Sequence, residues 1–185
     1  MLIASNLGLA TIKKNIVVKA PDWFYVPQVQ PLAEGIIRRS YTPNTDGAAV
    51  AIVMEFLSEA DGGELSLRAT PPYGKFYFYE QILQGPTYIT YDPYEATVEV
   101  RYLQDGGYVL HSANAQGRVW IPQLELYLGI WFGERLGQTM NWLRGWDNSD
   151  NLLLWSSEQA QQQRQRAERL AAKLRALGID PDLPD

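Results

Sequence analysis

Cysteine is absent from the 185-residue chain, and histidine occurs once, at His111. Without cysteine, the protein can form neither disulfides nor thiolate zinc sites, and it has no cysteine nucleophile. A single histidine excludes a multi-histidine metal site and leaves few routes to a Ser-His-Asp triad. These absences narrow the classes of catalytic site that the sequence can form.

Long hydrophobic runs and an excess of positive charge are also absent. The apolar runs are too short to span a bilayer and no charged-then-apolar leader is visible, so we expect a soluble, cytoplasmic protein. A net charge of -5 argues against nonspecific nucleic-acid binding by the whole surface, although it is compatible with a local basic cleft. With 46% hydrophobic residues, the chain can bury one core, which predicts one domain with appendages.

Residues 50–57 form the most hydrophobic segment of the sequence. A continuous apolar run of this length is typical of a strand that is covered on both faces. Such strands normally belong to α/β sheets, so we expect helices to cover this one. A short apolar helix is predicted over residues 1–12.

The other elements follow from residue periodicity and turn signals. Phe76, Tyr79 and Leu83 recur at helical spacing and predict a helix over 75–83. Asp105-Gly106-Gly107 is a hairpin signal. Strands are predicted at 15–20, 23–26, 88–91, 97–102, 108–110, 119–121, 126–132, 141–146 and 152–155, the last four forming a β-rich annex.

The composition changes at Ser156, where alanine, glutamine, arginine and leucine become frequent. Ser156 followed three residues later by Gln159 is a capping-box pattern and predicts the start of a helix. We therefore divide the chain into a domain over 1–155, a basic C-terminal helix over 156–178 and a frayed acidic tail over 179–185. The helix carries a narrow apolar stripe typical of a coiled-coil or docking surface, made by Ala167, Leu170, Ala171, Leu174 and Leu177.

Asp22, Glu55 and Lys75 are the candidate functional residues. Asp22 follows Pro21 and opens an apolar run, and Glu55 lies inside the most hydrophobic segment. A carboxylate in such a run is costly to bury, so it should be paired, bind a metal or point into a cleft. Two strand carboxylates and one lysine are the chemical groups of a divalent-metal phosphodiesterase.

Electrostatics favours a cation between the two carboxylates. If they lie about 4 Å apart, they repel each other by roughly 4 kcal/mol at an effective dielectric constant near 20. Mg²⁺ would offset this repulsion, because it prefers oxygen ligands and keeps waters for chemistry. Lys75 would then orient a metal-activated water or stabilise developing charge.

Each of these residues also has an ordinary structural interpretation. An aspartate after proline is commonly a turn or cap residue. Lys75 would be a solvated lysine in the first turn of a helix. Glu55 would be a strand carboxylate paired with one of three arginines, namely Arg38, Arg39 or Arg68.

Four short segments, in this order and spacing, resemble the Uma-type restriction endonucleases of the PD-(D/E)xK nuclease superfamily. The resemblance covers nearly everything from about Ala20 onward and includes the later segments 128–131 and 142–147. The four segments are Ala20-Pro21-Asp22, Val53-Met54-Glu55-Phe56-Leu57-Ser58, Lys75 with Tyr79-Glu80, and Tyr91-Asp92-Pro93.

The resemblance implies an α/β (α+β) fold, a restriction-endonuclease-like mixed sheet flanked by helices, with an αβββαβ core around residues 13–103. It implies a Mg²⁺- or Mn²⁺-dependent endonuclease that hydrolyses DNA, with Asp22 and Glu55 as metal ligands and Lys75 as the catalytic lysine. The Phe56 carbonyl is a further candidate ligand. No organic cofactor and no membrane partner are expected.

The sequence departs from the superfamily pattern in two respects. Leu57 stands two residues after Glu55, where the simple E-x-K motif has its lysine. By the family resemblance, the lysine comes instead from the following helix, at Lys75. No acidic residue precedes Asp22, whereas superfamily members usually have a longer leading helix that can supply one.

A homodimer is expected, because cutting both DNA strands needs two active sites and the C-terminal helix offers an apolar stripe. Two alternatives remain open. One is a noncatalytic interaction protein that keeps the nuclease scaffold, and the other is a nucleic-acid-binding module without cleavage.

Overall fold

The computed structural model describes residues 1–12, 16–58 and 63–178. Within these ranges the chain forms twelve strands and two helices, the first of which continues as a π-helical segment. The strands are β1 (Leu2–Ala4), β2 (Gly8–Ile12), β3 (Ile16–Lys19), β4 (Trp23–Val26), β5 (Ser40–Tyr41), β6 (Ile52–Phe56), β7 (Thr87–Asp92), β8 (Thr97–Gln104), β9 (Gly107–His111), β10 (Val119–Ile121), β11 (Leu126–Arg135) and β12 (Gln138–Trp146). The helices are α1 (Lys75–Tyr77), with its π-helical continuation (Phe78–Leu83), and α2 (Ser156–Ala176).

A six-stranded sheet with the order β1-β4-β6-β7-β8-β9 is the centre of the fold. Strands β6 and β7 run parallel, and the other neighbouring pairs in this sheet are antiparallel. The hairpin between β8 and β9 turns at Asp105 and Gly106, both of which have positive φ, as a two-residue hairpin requires. The predicted α/β (α+β), restriction-endonuclease-like fold with a mixed sheet and helices is confirmed. The αβββαβ order expected around residues 13–103 is wrong in its first element, because strands, not a helix, precede α1 in the described residues of this range.

Strand β6 is buried on both faces, as its apolar run predicts. Val53 points into one core with Phe24, Phe78 and Tyr79, so the helical segment 75–83 covers this face. On the other face, residues of β6 pack against β10 and β11 rather than against a helix. The β-rich annex is therefore a second layer of the core, formed by the sheet β10-β11-β12.

The first twelve residues form strands, so the prediction of a short helix there is wrong. In β1, Leu2 pairs with Val26 of β4, and β2 joins a three-stranded sheet in the order β3-β2-β5. Asn6, between the two strands, has a φ of 52°, which interrupts any helix. Segments this short are marginal as isolated helices, whereas pairing with a neighbouring strand satisfies their backbone groups.

Helix α2 is joined to the annex at its first turn. Its predicted capping pair of Ser156 and Gln159 is wrong, because Glu158 accepts a hydrogen bond from the backbone N–H of Trp155 at 2.7 Å. Arg144, only 2% exposed, donates to Glu158 Oε2 at 2.8 Å and lies 3.4 Å from the centroid of the Trp155 ring. These contacts hold the start of the helix, while none of its residues is buried.

Three other predictions concern the C-terminal third. The strand predicted at 152–155 is reduced to a single bridge between Trp146 and Leu152. The tail predicted at 179–185 lies outside the described residues, and the domain boundary at residue 155 stays a prediction. No helix in the described part of the chain is long and apolar enough to cross a membrane.

Gly74 allows the loop before α1 to pass close to that helix. A Cβ built on Gly74 would lie 2.1 Å from the backbone oxygen of Ser66, which cannot move away without displacing its own loop. The N–H of Tyr77 donates to the same Ser66 oxygen at 3.3 Å. The absence of a side chain at Gly74 therefore permits the close approach of the two segments just before Lys75.

We expect Gly74→Ala to lower the free energy of unfolding by about 1–3 kcal/mol, because the added methyl group forces the backbone of the loop to move. Chemical denaturation followed by tryptophan fluorescence measures this change. Gly107→Ala is the matched control, since its Cβ would meet nothing closer than 3.8 Å. Equal stability of the two variants would contradict the close approach at Gly74.

Candidate active site

The antiparallel pairing of β4 with β6 brings Asp22 and Glu55 together. Trp23 lies opposite Met54. Asp22, which precedes Trp23, is therefore a neighbour of Glu55, which follows Met54. Asp22 Oδ2 accepts a hydrogen bond of 2.7 Å from the N–H of Phe56, and the N–H of Asp22 donates to Glu55 Oε2 at 3.4 Å. Two carboxylates thus lie side by side at one end of these strands.

Glu55 is fully buried, with 0% of its side chain exposed. Lys75 Nζ lies 3.1 Å from Glu55 Oε2, and the Tyr79 hydroxyl donates to Glu55 Oε1 at 2.7 Å. Both carboxylate oxygens therefore have a donor from the helical segment that covers β6. Lys75 and Tyr79 are four residues apart, a spacing that places both side chains on the same side of a helix.

Lys75 also contacts a second buried acid, Glu64. Its Nζ lies 3.5 Å from Glu64 Oε1, and only 8% of the Glu64 side chain is exposed. The Tyr88 hydroxyl donates to the backbone oxygen of Glu64 at 2.8 Å, which ties this loop residue to the central sheet. Because 27% of the Lys75 side chain remains exposed, the amine lies between two buried carboxylates and solvent.

Burial and charge act in opposite directions on these groups. Burial raises the pKa of Glu55 to about 7, although the hydrogen bond from Tyr79 and the charge of Lys75 both act to lower it. For Lys75, burial lowers the pKa, but the charges of Glu55 and Glu64 outweigh it and the net pKa is raised. Burial, and next the charge of Glu55, raises the pKa of Tyr79, so this hydroxyl stays protonated and acts as a donor.

The structure brings all three candidate residues, Asp22, Glu55 and Lys75, to one place. Two of the three arginines considered as partners of Glu55 bond elsewhere: Arg38 pairs with Asp46 at 3.3 Å, and Arg68 donates to the backbone oxygen of Pro71. Lys75, rather than an arginine, is the cation beside Glu55. The catalytic roles of the three residues stay predictions.

Three residues at or near this site were not singled out from the sequence. Tyr79 entered the helical pattern and the family motif without a role at the site, although its spacing from Lys75 is a signal that would have found it. Glu64 gives no such signal, because it lies in a polar segment between elements. Lys19 precedes Asp22 by three residues, and its proximity to Lys75 appears only in the folded chain.

The donor atoms at this site suit a hard divalent cation. Asp22 and Glu55 contribute carboxylate oxygens, and one Asp22 oxygen is not required by the Phe56 N–H. Mg²⁺ prefers oxygen ligands and is commonly held by one or two carboxylates together with water. No group of three or more acidic, histidine or cysteine side chains that could hold a metal occurs in the described ranges. Two carboxylates and the Phe56 carbonyl are thus the protein ligands to consider.

A mixed sheet with two adjacent acids at a strand end, and a lysine that reaches them from a helix, is the arrangement expected of a nuclease-like protein. The family model of Uma2, described as "Putative restriction endonuclease", matches residues 6–138. Since this match covers most of the chain, the protein belongs to the Uma2 family. The matched region contains Asp22, Glu55 and Lys75 and ends before α2. None of the curated proteins matches the chain.

The raised pKa of Glu55 predicts a pH-dependent stability. In the unfolded chain this group ionises near 4.5, whereas in the folded protein it keeps its proton until about 7. The folded state therefore binds more protons between these values, and stability falls as pH rises through this window, by up to roughly 3 kcal/mol for a fully buried acid. Below pH 4.5 both states are protonated and this contribution is constant.

We expect Glu55→Gln to remove this fall in stability, because glutamine imitates the neutral acid. Melting temperatures of the wild type and the variant, measured in EDTA from pH 5 to 8, should diverge most in slope between pH 5 and 7. Glu95→Gln, which changes an exposed acid, is the control and should follow the wild type. Parallel profiles for wild type and Glu55→Gln would refute the raised pKa.

Proposed function

We propose that the protein is a metal-dependent endonuclease that hydrolyses phosphodiester bonds of DNA, with Asp22, Glu55 and Lys75 as its active site. One observation carries the proposal: the amine of Lys75 lies 3.1 Å from the buried carboxylate of Glu55, which is itself adjacent to Asp22. Membership of a family described as restriction endonucleases supports a nuclease-like activity. We infer the metal dependence and the DNA substrate from the chemistry of the site.

Asp22 and Glu55 would hold the cation, with the Phe56 carbonyl as a third protein ligand, and Mg²⁺ or Mn²⁺ suits such oxygen donors. When bound, the ion would lower the pKa of a water ligand and neutralise charge on a phosphate oxygen. A second positive charge near Glu55 would also favour the ionised carboxylate, which burial alone disfavours. The site is therefore better suited to two cations, the lysine and the metal, than to the lysine alone.

Lys75 supplies a positive charge at a fixed point beside the carboxylates. Glu55 and Glu64 keep its amine protonated, so at neutral pH it donates hydrogen bonds and does not act as a base. An ammonium in this position would orient the attacking water or stabilise charge that develops on the phosphate. Tyr79 holds the Glu55 carboxylate from the opposite oxygen and so limits its rotation.

The proposal requires that incubation of supercoiled plasmid with the protein and Mg²⁺ or Mn²⁺ yields nicked or linear DNA, and that EDTA abolishes the reaction. Asp22→Asn, Glu55→Gln and Lys75→Met should each reduce the rate by about 10²–10⁴-fold, the range typical of a lost acid–base or charge-stabilising group. Gel electrophoresis over time measures these rates.

Lys173→Ala is the control for the lysine variant, because Lys173 is exposed on α2 and should be dispensable for cleavage. Circular dichroism of each variant checks that the fold is retained. Cleavage that survives all three site substitutions would refute the site. A folded wild type that fails to cleave plasmids of diverse sequence with either metal would favour the noncatalytic interaction protein.

We also propose a homodimer formed through α2. Cutting both DNA strands needs two active sites, and the stripe predicted on α2 remains exposed, with Leu170 53% and Leu177 75% accessible. Leu170→Lys should shift the molar mass measured by light scattering toward the monomer, because it places a charge in an apolar contact. Leu136→Lys, at an 87% exposed position in a turn, is the control. An identical mass for wild type and Leu170→Lys would argue against this interface.

A further inference from the structure

A groove lies between β3 and the loop that leads into α1. It has a volume of about 230 Å³. The groove opens beside the active site, because its loop wall ends at Tyr73 and Lys75 follows two residues later. One wall is β3, which precedes Asp22, and the other is the segment before Gly74. The lining residues are Ile16, Val17, Val18, Lys19, Pro71, Pro72 and Tyr73.

Lys19 is the basic residue in this lining, and it lies on the inward face of β3. Burial alternates along the strand, so Ile16 and Val18 are exposed while Val17 and Lys19 are partly buried. Val17 packs against the core, and Lys19 shares its side of the strand. A lysine on an inward face is costly unless an anion is nearby, because its ammonium loses hydration.

The acid that acts on Lys19, Glu55, is paired with a different lysine. Lys75 forms the ion pair with Glu55, and within the described residues Lys19 has no ion pair of its own. Burial lowers the pKa of Lys19, the charge of Lys75 lowers it further, and Glu55 acts in the opposite direction. Two lysines thus repel each other at the end of the groove that meets the active site.

A third positive charge stands at the loop wall. Arg68 is exposed, and its guanidinium donates to the backbone oxygen of Pro71 at 3.2 Å. Lys19 lines the groove, Arg68 bonds to its Pro71, and Lys75 follows its Tyr73 by two residues. A groove with these positive charges is complementary to an anionic chain, although the protein as a whole is acidic. Phosphates spaced along a nucleic-acid backbone meet this description.

We propose that this groove binds the nucleic-acid strand that flanks the scissile phosphate, and that Lys19 binds a phosphate of that strand. The inference rests on the proposed nuclease function and adds to it the path of the substrate. Phosphate contacts of this kind set the position of a nucleic acid without reading its sequence. Lys19 therefore contributes to substrate binding, whereas Lys75 acts at the reacting phosphate.

The apolar part of the lining fits the sugars and bases of the same strand. Ile16 and Val18 are 71% and 53% exposed, so both offer apolar surface at the groove wall. Across the groove, the Tyr73 ring stacks on Tyr77, with centroids 5.8 Å apart. Aromatic and apolar surface next to basic side chains is the combination by which proteins hold single strands.

Fluorescence anisotropy with a labelled 20-base DNA, as single strand and as duplex in EDTA, tests the proposal with the full chain. Lys19→Ala should weaken binding about 5–10-fold at low salt and should reduce the slope of log affinity against log salt by about one phosphate contact. Lys19→Arg, which keeps the charge, should restore most of the affinity. Lys173→Ala, on exposed α2, is the control for loss of a lysine.

A second pair of variants tests the groove itself. Val18→Glu places a negative charge on the exposed rim and should weaken binding at least as much as Lys19→Ala. Val109→Glu makes the same change at a 45% exposed position on β9, at the far edge of the central sheet, and should leave binding unchanged. Neither position is buried, so both proteins should fold.

The outcomes separate this inference from the nuclease proposal. Lys19-dependent binding without cleavage in Mg²⁺ would support the groove and refute hydrolysis. Cleavage by the wild type together with unchanged affinity, salt slope and KM in Lys19→Ala would refute the groove and leave hydrolysis standing. A wild type that binds neither form of DNA would overturn the groove as well.

Discussion

The burial of one carboxylate, that of Glu55, determines how the elements around it are arranged. An ionised acid without exposure loses its hydration, and in a protein interior this costs several kcal/mol unless partners replace the lost water. Lys75 and Tyr79 offset part of this cost, although burial still raises the pKa of Glu55 to about 7, and both partners belong to the helical segment over β6. The helix must therefore dock on this face of the sheet, and the close approach at Gly74 permits it to do so.

Supplying the lysine from a helix has a physical consequence. In the simple E-x-K motif, acid and lysine share a strand, so their spacing is set by local geometry. Here Leu57 lies beyond the end of β6, and the lysine reaches Glu55 from a separate element. The geometry of the site thus depends on tertiary packing: on Phe78 and Tyr79 in the core, and on the Glu64 loop that contacts the same amine.

The annex stabilises the site from the other side of the sheet. Ile52 and Met54 of β6 pack with Val119 and Ile121 of β10, so the strand that carries Glu55 is held between two layers. The apolar run correctly predicted burial on both faces. It did not predict that a sheet, rather than a helix, covers one of them, because hydrophobicity records burial and not the identity of the covering element.

Much of the candidate site was readable from the sequence, because its strongest signals are local. A charge inside an apolar run marked Glu55, and the residues around Asp22 and Lys75 carried the family resemblance, while the strand at Trp23–Val26 followed from its composition. Tertiary structure alone decided the rest. The N-terminal residues became strands because distant partners paired with them, and Glu64 and Lys19 approach Lys75 only in the folded chain. Such contacts join residues far apart in sequence, and no local pattern of side chains encodes them.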